Sequence, residues 1–392
     1  MPTFETIYKE YENTNNVCQF YDKYNDNNVS TRFLLIRSLD KSHLIDIINE
    51  YSEEEPTGKS KELMYKAYCS SVTIQNLLDY IESKRPELIS ERETELEGLS
   101  DVLSDFPIVN CGVRNDKIDD IVKKFVRNKS LKSIASLTQE LDSNILPRVR
   151  QYALWSYYNQ TSNDIIELYF LKHPKIIPTL RKIHDIDFFI KIDDNIVPFD
   201  LKFTHISDEF FNLASQGIND STSGIDNYEI NQIDDSNELK SIRTLYNGYK
   251  KNHKNLHLDA ASKLTKAEMI SILEEANDSD INLKIEQLKH NHRNYVPATA
   301  NDLEKLEWWN YKYQGERLFC NNNRLFVFIA YTDRFTDGRE LKGKTAEIGE
   351  KITELLENLL MVDIHKINYH YDKEDSLAGN YTAWALSTIY SE

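Results

Sequence analysis

The stretch IDFFIKIDDNIVPFDLKFTH, Ile186 to His205, constrains the fold more than any other. Two runs of alternating, strand-like residues flank the polar turn Asp193-Asp194-Asn195, the signature of a β-hairpin. Side chains alternate along a strand. In the second run Val197, Phe199, Leu201 and Phe203 therefore point one way, and Pro198, Asp200, Lys202 and Thr204 the other. In the first run Ile186, Phe188, Ile190 and Ile192 form the apolar face, and Asp187 points away from it with Phe189. Charged side chains are rarely fully buried unless paired. Asp187, Asp200 and Lys202 lie within the apolar runs, so the hairpin needs something to hold their charges.

The preceding segment poses the same problem. TSND at 161–164 offers N-cap candidates for a following helix, IIELYFLKH. That helix is apolar almost all round, as a buried helix is, with Glu167 in its middle. A carboxylate buried there requires a partner. Either a basic residue such as Arg148 or Arg150 supplies it, or a metal ion does. His173, His184 and His205 flank the hairpin and read as packing or surface histidines. Asp185 competes with Asp187 for the same role, and Asp193 and Asp194 belong to the turn. Gln160 and Thr204 are candidates for supporting hydrogen bonds. Lys172, Lys175, Arg181 and Lys182 form a basic stretch, read as a solvated loop or as phosphate contacts.

Three regions surround this core. Residues 1–140 read as a mostly helical N-terminal region serving DNA recognition or dimerisation. Its segment 116–141 carries Lys123, Lys124, Arg127, Lys129 and Lys132, a solvated face or a set of phosphate contacts. Residues 141–392 read as one domain, with a polar and mobile insertion at about 206–300 that includes a basic helix near 239–257. After it, NNRLFVFIAY has the continuous apolar character of a buried central strand. The segment AEIGEKITELLENLLMV places Ile348, Ile352, Leu355, Leu356, Leu359 and Leu360 on one helical stripe, and HKINYHY and YTAWALSTIY are strand candidates. The expected class is α/β (α+β), a mixed central sheet flanked by helices.

Composition sets limits. Eleven glycines and nine prolines in 392 residues leave little room for long flexible linkers, and the 23 tyrosines argue against disorder. A formal charge of −17 argues against a broadly basic nucleic-acid binder, although an acidic chain can carry a basic cleft. Cys18, Cys69, Cys111 and Cys320 lack metal-site spacing and read as free thiols of a reducing cytoplasm. Neither a signal peptide nor a membrane span is expected.

A helix carboxylate, an Asp on one strand and Asp-x-Lys on its partner resemble the PD-(D/E)xK nucleases, the restriction-endonuclease-like superfamily. TSNDIIELYFLKHP with IDFFIKIDDNIVPFDLKFTH looks most like bacterial type II restriction endonucleases, and YQGERLFCNNNRLFVFI adds a weaker likeness. The resemblance covers residues 148–205 well and the last third loosely. Ile186 stands where the family pattern has proline, and Asp200 is the shorter of the two acids it allows. The match favours Asp187 over Asp185.

This resemblance implies Glu167, Asp187, Asp200 and Lys202 as catalytic residues. It implies Mg²⁺, for which Mn²⁺ can substitute, held by Asp187, Asp200, Glu167 and the Leu201 carbonyl. Lys202 would orient or deprotonate the attacking water. It further implies a bacterial, cytoplasmic homodimer that cuts double-stranded DNA at a short specific sequence, with a cognate DNA methyltransferase protecting the host. A structure-specific or single-strand nuclease of repair or antiphage defence is the alternative, and a non-catalytic DNA-binding protein is disfavoured because every motif position carries a competent residue.

Overall fold

The computed structural model describes residues 2–14, 17–25, 28–106, 115–183, 185–207, 210, 214, 217–230, 238–264, 266–294, 300–313, 322–331 and 338–392. The expected Cys111, Cys320 and His184, and most of the YQGERLFCN segment, lie outside them. Cys18 and Cys69 carry free thiols.

A six-stranded mixed sheet forms the centre, flanked by helices as expected. The strands β1 (Ile176–Ile183), β2 (Ile186–Ile192) and β3 (Asn195–His205) form an antiparallel meander. Two short strands, β4 (Ile218–Asp220) and β5 (Tyr228–Ile230), pair apart from the main sheet. β6 (Arg324–Ala330) lies parallel to β3, β8 (Gly379–Ser391) parallel to β6, and β7 (His365–Tyr371) antiparallel to β8. The order is β1-β2-β3-β6-β8-β7. Every residue of β6 is buried, as its unbroken apolar run requires of a strand covered on both faces.

Two layers cover the sheet. On one face Ile166 and Phe170 of the long helix Leu146–Lys172, with Ile348, Ile352 and Leu356 of helix Thr345–Asn358, pack on Phe188, Ile190, Val197, Phe199 and Phe203. On the other, the N-terminal helices share a core with Ile177, Phe189 and Ile196. Helix Ala300–Lys312 covers the remaining half of that face through Leu306 and Trp308. The hairpin turn closes where expected, with Ile192 opposite Asn195 and Asp193 at φ 52°.

Several expectations are corrected. TSND does not cap a helix; it lies inside one continuous 27-residue helix, with Thr161 and Ser162 buried. The stretch around Arg181 and Lys182 is not a loop but part of β1. Ile186 leaves the face of Phe188 and joins the N-terminal core, because the β1–β2 register shifts between Pro178 and Ile183. Leu360 lies beyond the end of helix Thr345–Asn358 and is exposed. Within 206–300, helices Glu238–Asn252, Lys266–Glu275 and Ser279–Asn294 enclose their own small core of Ile242, Tyr246, Met269, Leu273 and Ile285.

Candidate active site

The β2–β3 register brings the two hairpin acids together. Phe188 pairs with Phe199, so the next residues outward, Asp187 and Asp200, stand opposite one another. The Leu201 amide N–H donates to Asp187 Oδ2 at 2.8 Å. Asp187 is open to the cleft yet surrounded by protein, and that desolvation pushes its carboxyl up to about 6. The Asp200 charge adds to the rise, while the Leu201 hydrogen bond and Lys182 oppose it. Asp200 is half-buried and also raised, first by desolvation; Arg324 and Lys202 work against that rise, and Asp185 adds to it. Lys202 extends along the same face. Desolvation and then Arg324 lower its ammonium, and Asp200 partly restores it.

Glu167 faces the same region from the long helix. Burial, then the charges of Asp187 and Asp164, push its carboxyl up to about 7. The cations that offset it are Arg92 and Lys182, not Arg148 or Arg150, which are exposed on the first turns of that helix. A cleft of about 590 Å³ is lined by Glu167, Asp187, Arg92, Asp164, Gln160 and Lys182, among others. Asp200 and Lys202 lie beside it, on the neighbouring strand.

Arg324 is the principal residue that sequence reasoning missed. It opens β6 directly opposite Asp200 in the parallel register, and its Nε donates to Asp200 Oδ2 at 3.3 Å. The signal was available: Arg324 is a charge at the mouth of an apolar strand, the same anomaly that singled out Asp200. Lys342, also missed, is buried. Its Nζ donates to Asn159 Oδ1 (2.6 Å), Asn163 Oδ1 (3.2 Å) and the Phe203 carbonyl (2.9 Å). It thereby ties the helix that bears Glu167 to the strand that bears Asp200.

The weaker candidates take supporting positions. His173 accepts from the Lys175 amide at a turn, and Gln160 donates to Asp164. Thr204 donates to the His205 carbonyl. Lys172 pairs with Glu93, and Lys175 donates to the Glu357 and Leu359 carbonyls beside the end of helix Thr345–Asn358. Asp185 takes the positive-φ position (74°) between β1 and β2.

No protein-family model, curated protein or solved structure matches the chain. Among the described residues, no three His, Cys, Asp or Glu side chains are gathered closely enough to hold a metal ion by themselves. The donor chemistry nevertheless suits a hard divalent cation. Two adjacent carboxylates raise each other's proton affinity, and Mg²⁺ commonly takes one or two carboxylates and completes its shell with water and substrate oxygens.

This raised affinity has a measurable consequence. A carboxyl whose pKa rises on folding holds a proton that the unfolded chain has released, so stability falls as pH rises from the ordinary 3.8 to about 6. Asp187→Asn removes that charge while keeping an acceptor for the Leu201 amide. In metal-free buffer at neutral pH the variant is expected to melt above wild type, with the gap closing in acid. Added Mg²⁺ should raise the wild-type Tm and leave the variant unmoved. A variant no more stable than wild type at neutral pH would show that the two acids do not strain the fold.

Proposed function

We propose that the chain is a Mg²⁺-dependent endodeoxyribonuclease that hydrolyses phosphodiester bonds of double-stranded DNA at a short specific sequence. The observation that carries this reading is the opposition of Asp187 and Asp200 across paired strands, with Lys202 on the same face as Asp200. Asp187 and Asp200 would hold the ion with the Leu201 carbonyl, and Glu167, which does not close with the two hairpin acids into a three-acid cluster, would reach it through a water. When bound, the ion would polarise the scissile phosphate and acidify a water. The side chains have separate tasks. Lys202, its ammonium destabilised by desolvation, would orient the attacking water and offset charge on the phosphate. Arg324 would keep Asp200 ionised and fixed in direction. Arg92 and Lys182 would offer cationic contacts along the cleft to an anionic backbone.

A host carrying such an enzyme would need a methyltransferase acting on the same site. None of the described helices is long and apolar enough to cross a membrane. The test is incubation of unmethylated phage DNA with the purified chain, with Mg²⁺ or with EDTA. Discrete fragments that require Mg²⁺ are expected. A Mg²⁺-dependent smear would indicate the structure-specific or single-strand reading instead, and intact DNA with Mg²⁺ or Mn²⁺ would count against nuclease activity on this substrate.

A further inference from the structure

A cavity apart from the cleft takes no part in the proposed chemistry. It has a volume of about 480 Å³ and lies between the short helix Leu99–Ser104, the middle of the long helix, the turn Gly338–Gly343 and the start of helix Thr345–Asn358. A space of that size suits a small molecule. Three of its lining side chains are aromatic. The Tyr158 ring stands between Phe106 and Trp155, with centroids 5.3 and 5.5 Å away. The turn fixes this wall in place. The Tyr158 hydroxyl donates to the Glu340 carbonyl at 2.7 Å and accepts from the Gly343 amide at 2.6 Å. A Cβ on residue 343 would stand 3.0 Å from that hydroxyl, so the close approach favours glycine. A wall held in this way is preorganised, which spares a ligand the cost of ordering it.

We infer that this pocket binds an organic cation of the alkylammonium class. The faces of aromatic rings are electron-rich and attract cations, and aromatic walls are the usual means of holding alkylated ammonium groups. The chain already uses the same attraction. The guanidinium of Arg339, which does not line the pocket, sits over the Trp155 ring at 5.4 Å from its centroid. Two carboxylates, Glu340 and Glu347, complete the lining and supply counter-charge. Glu347 is exposed and forms no ion pair among the described residues. An anion fits less well. Lys344 is paired with Glu392 at 3.4 Å, and Glu347 in the first turn already answers the positive end of its helix. A neutral apolar ligand would leave Glu347 without counter-charge.

The inference is independent of any nuclease activity. The turn that carries Glu340 also carries Lys342, whose bonds to Asn159 and the Phe203 carbonyl join the helix of Glu167 to β3. An occupant would therefore rest against a segment that braces the cleft.

Calorimetric titration of the full chain with choline at constant ionic strength tests the inference. The comparison ligand is dimethylbutanol, the neutral isostere with carbon in place of nitrogen. Choline is expected to bind about tenfold more tightly than the isostere, the ratio that one desolvated cation–π contact supplies. Trp155→Leu should abolish that preference. Glu347→Gln, a change at an exposed position that leaves the fold intact, should weaken choline several-fold and leave the isostere unchanged. Equal binding of the two ligands by wild type would overturn the inference, as would binding of neither, or choline affinity unmoved in both variants. If acetate bound in place of choline, the helix terminus would be the site and the cation reading would fall.

Discussion

Lys202→Ala is expected to lower Mg²⁺-dependent DNA cleavage by about 10²–10³-fold, the usual effect of removing one preorganised charge-stabilising donor. Lys202 is exposed on the strand face that carries Asp200, and desolvation lowers its affinity for a proton. Alanine removes the ammonium without opening the core, so DNA binding and Tm should change little. Lys202→Arg makes the sharper comparison. Arginine keeps a cation but adds a planar, permanently charged group beside Arg324, and it is not expected to restore the rate. Single-turnover cleavage at saturating protein separates the chemical step from binding. A Lys202→Ala chain that cuts at the wild-type rate would remove Lys202 from the mechanism and leave the acid pair without its third member.

Much of this site was legible in the sequence because it is local. Asp187, Asp200 and Lys202 fall within one hairpin, where strand alternation alone decides which side chains share a face. β6 was legible for a different reason: a strand buried on both faces has no polar positions to obscure it. The contacts that complete the site were not legible. Arg324 reaches Asp200 through a parallel pairing between residues 124 positions apart, and Lys342 reaches Asn159 and Asn163 across 183 and 179 positions. β1 was obscured by Thr179, Arg181 and Lys182, polar residues that an edge strand tolerates. TSND was misread because these residue types favour caps in isolation. In the folded chain, Asn163 instead accepts from a buried lysine and the helix runs on through the motif.

The largest effect on stability is expected far from the cleft. Glu307, on helix Ala300–Lys312, is fully buried. Its carboxylate accepts from Ser387 Oγ at 2.5 Å and from His365 Nδ1 at 2.7 Å, fastening the helix to β7 and β8. Desolvation raises the Glu307 carboxyl, with His365 and Ser387 opposing the rise. Desolvation lowers the His365 imidazole, but its hydrogen bond and charge contact with Glu307 outweigh that and leave it raised. Removing one member of a buried pair leaves the other charge uncompensated, at a cost of about 3–5 kcal/mol. His365→Ala should show a loss of this order in urea denaturation. The pH dependence follows from the sign of the histidine shift. A pKa raised above its unfolded value gives stability that is complete below about 6.5 and lost as pH rises through the folded value. The histidine's own contribution to wild-type stability should therefore be complete in mild acid and decline towards alkaline pH, while in His365→Ala the lone Glu307 carboxyl takes up a proton more readily in acid than it does in wild type. Replacing both partners by leucine should recover much of the loss, because apolar side chains of similar volume carry no desolvation penalty. Equal urea midpoints for wild type and His365→Ala in mild acid would show that Ser387 alone satisfies the buried carboxyl.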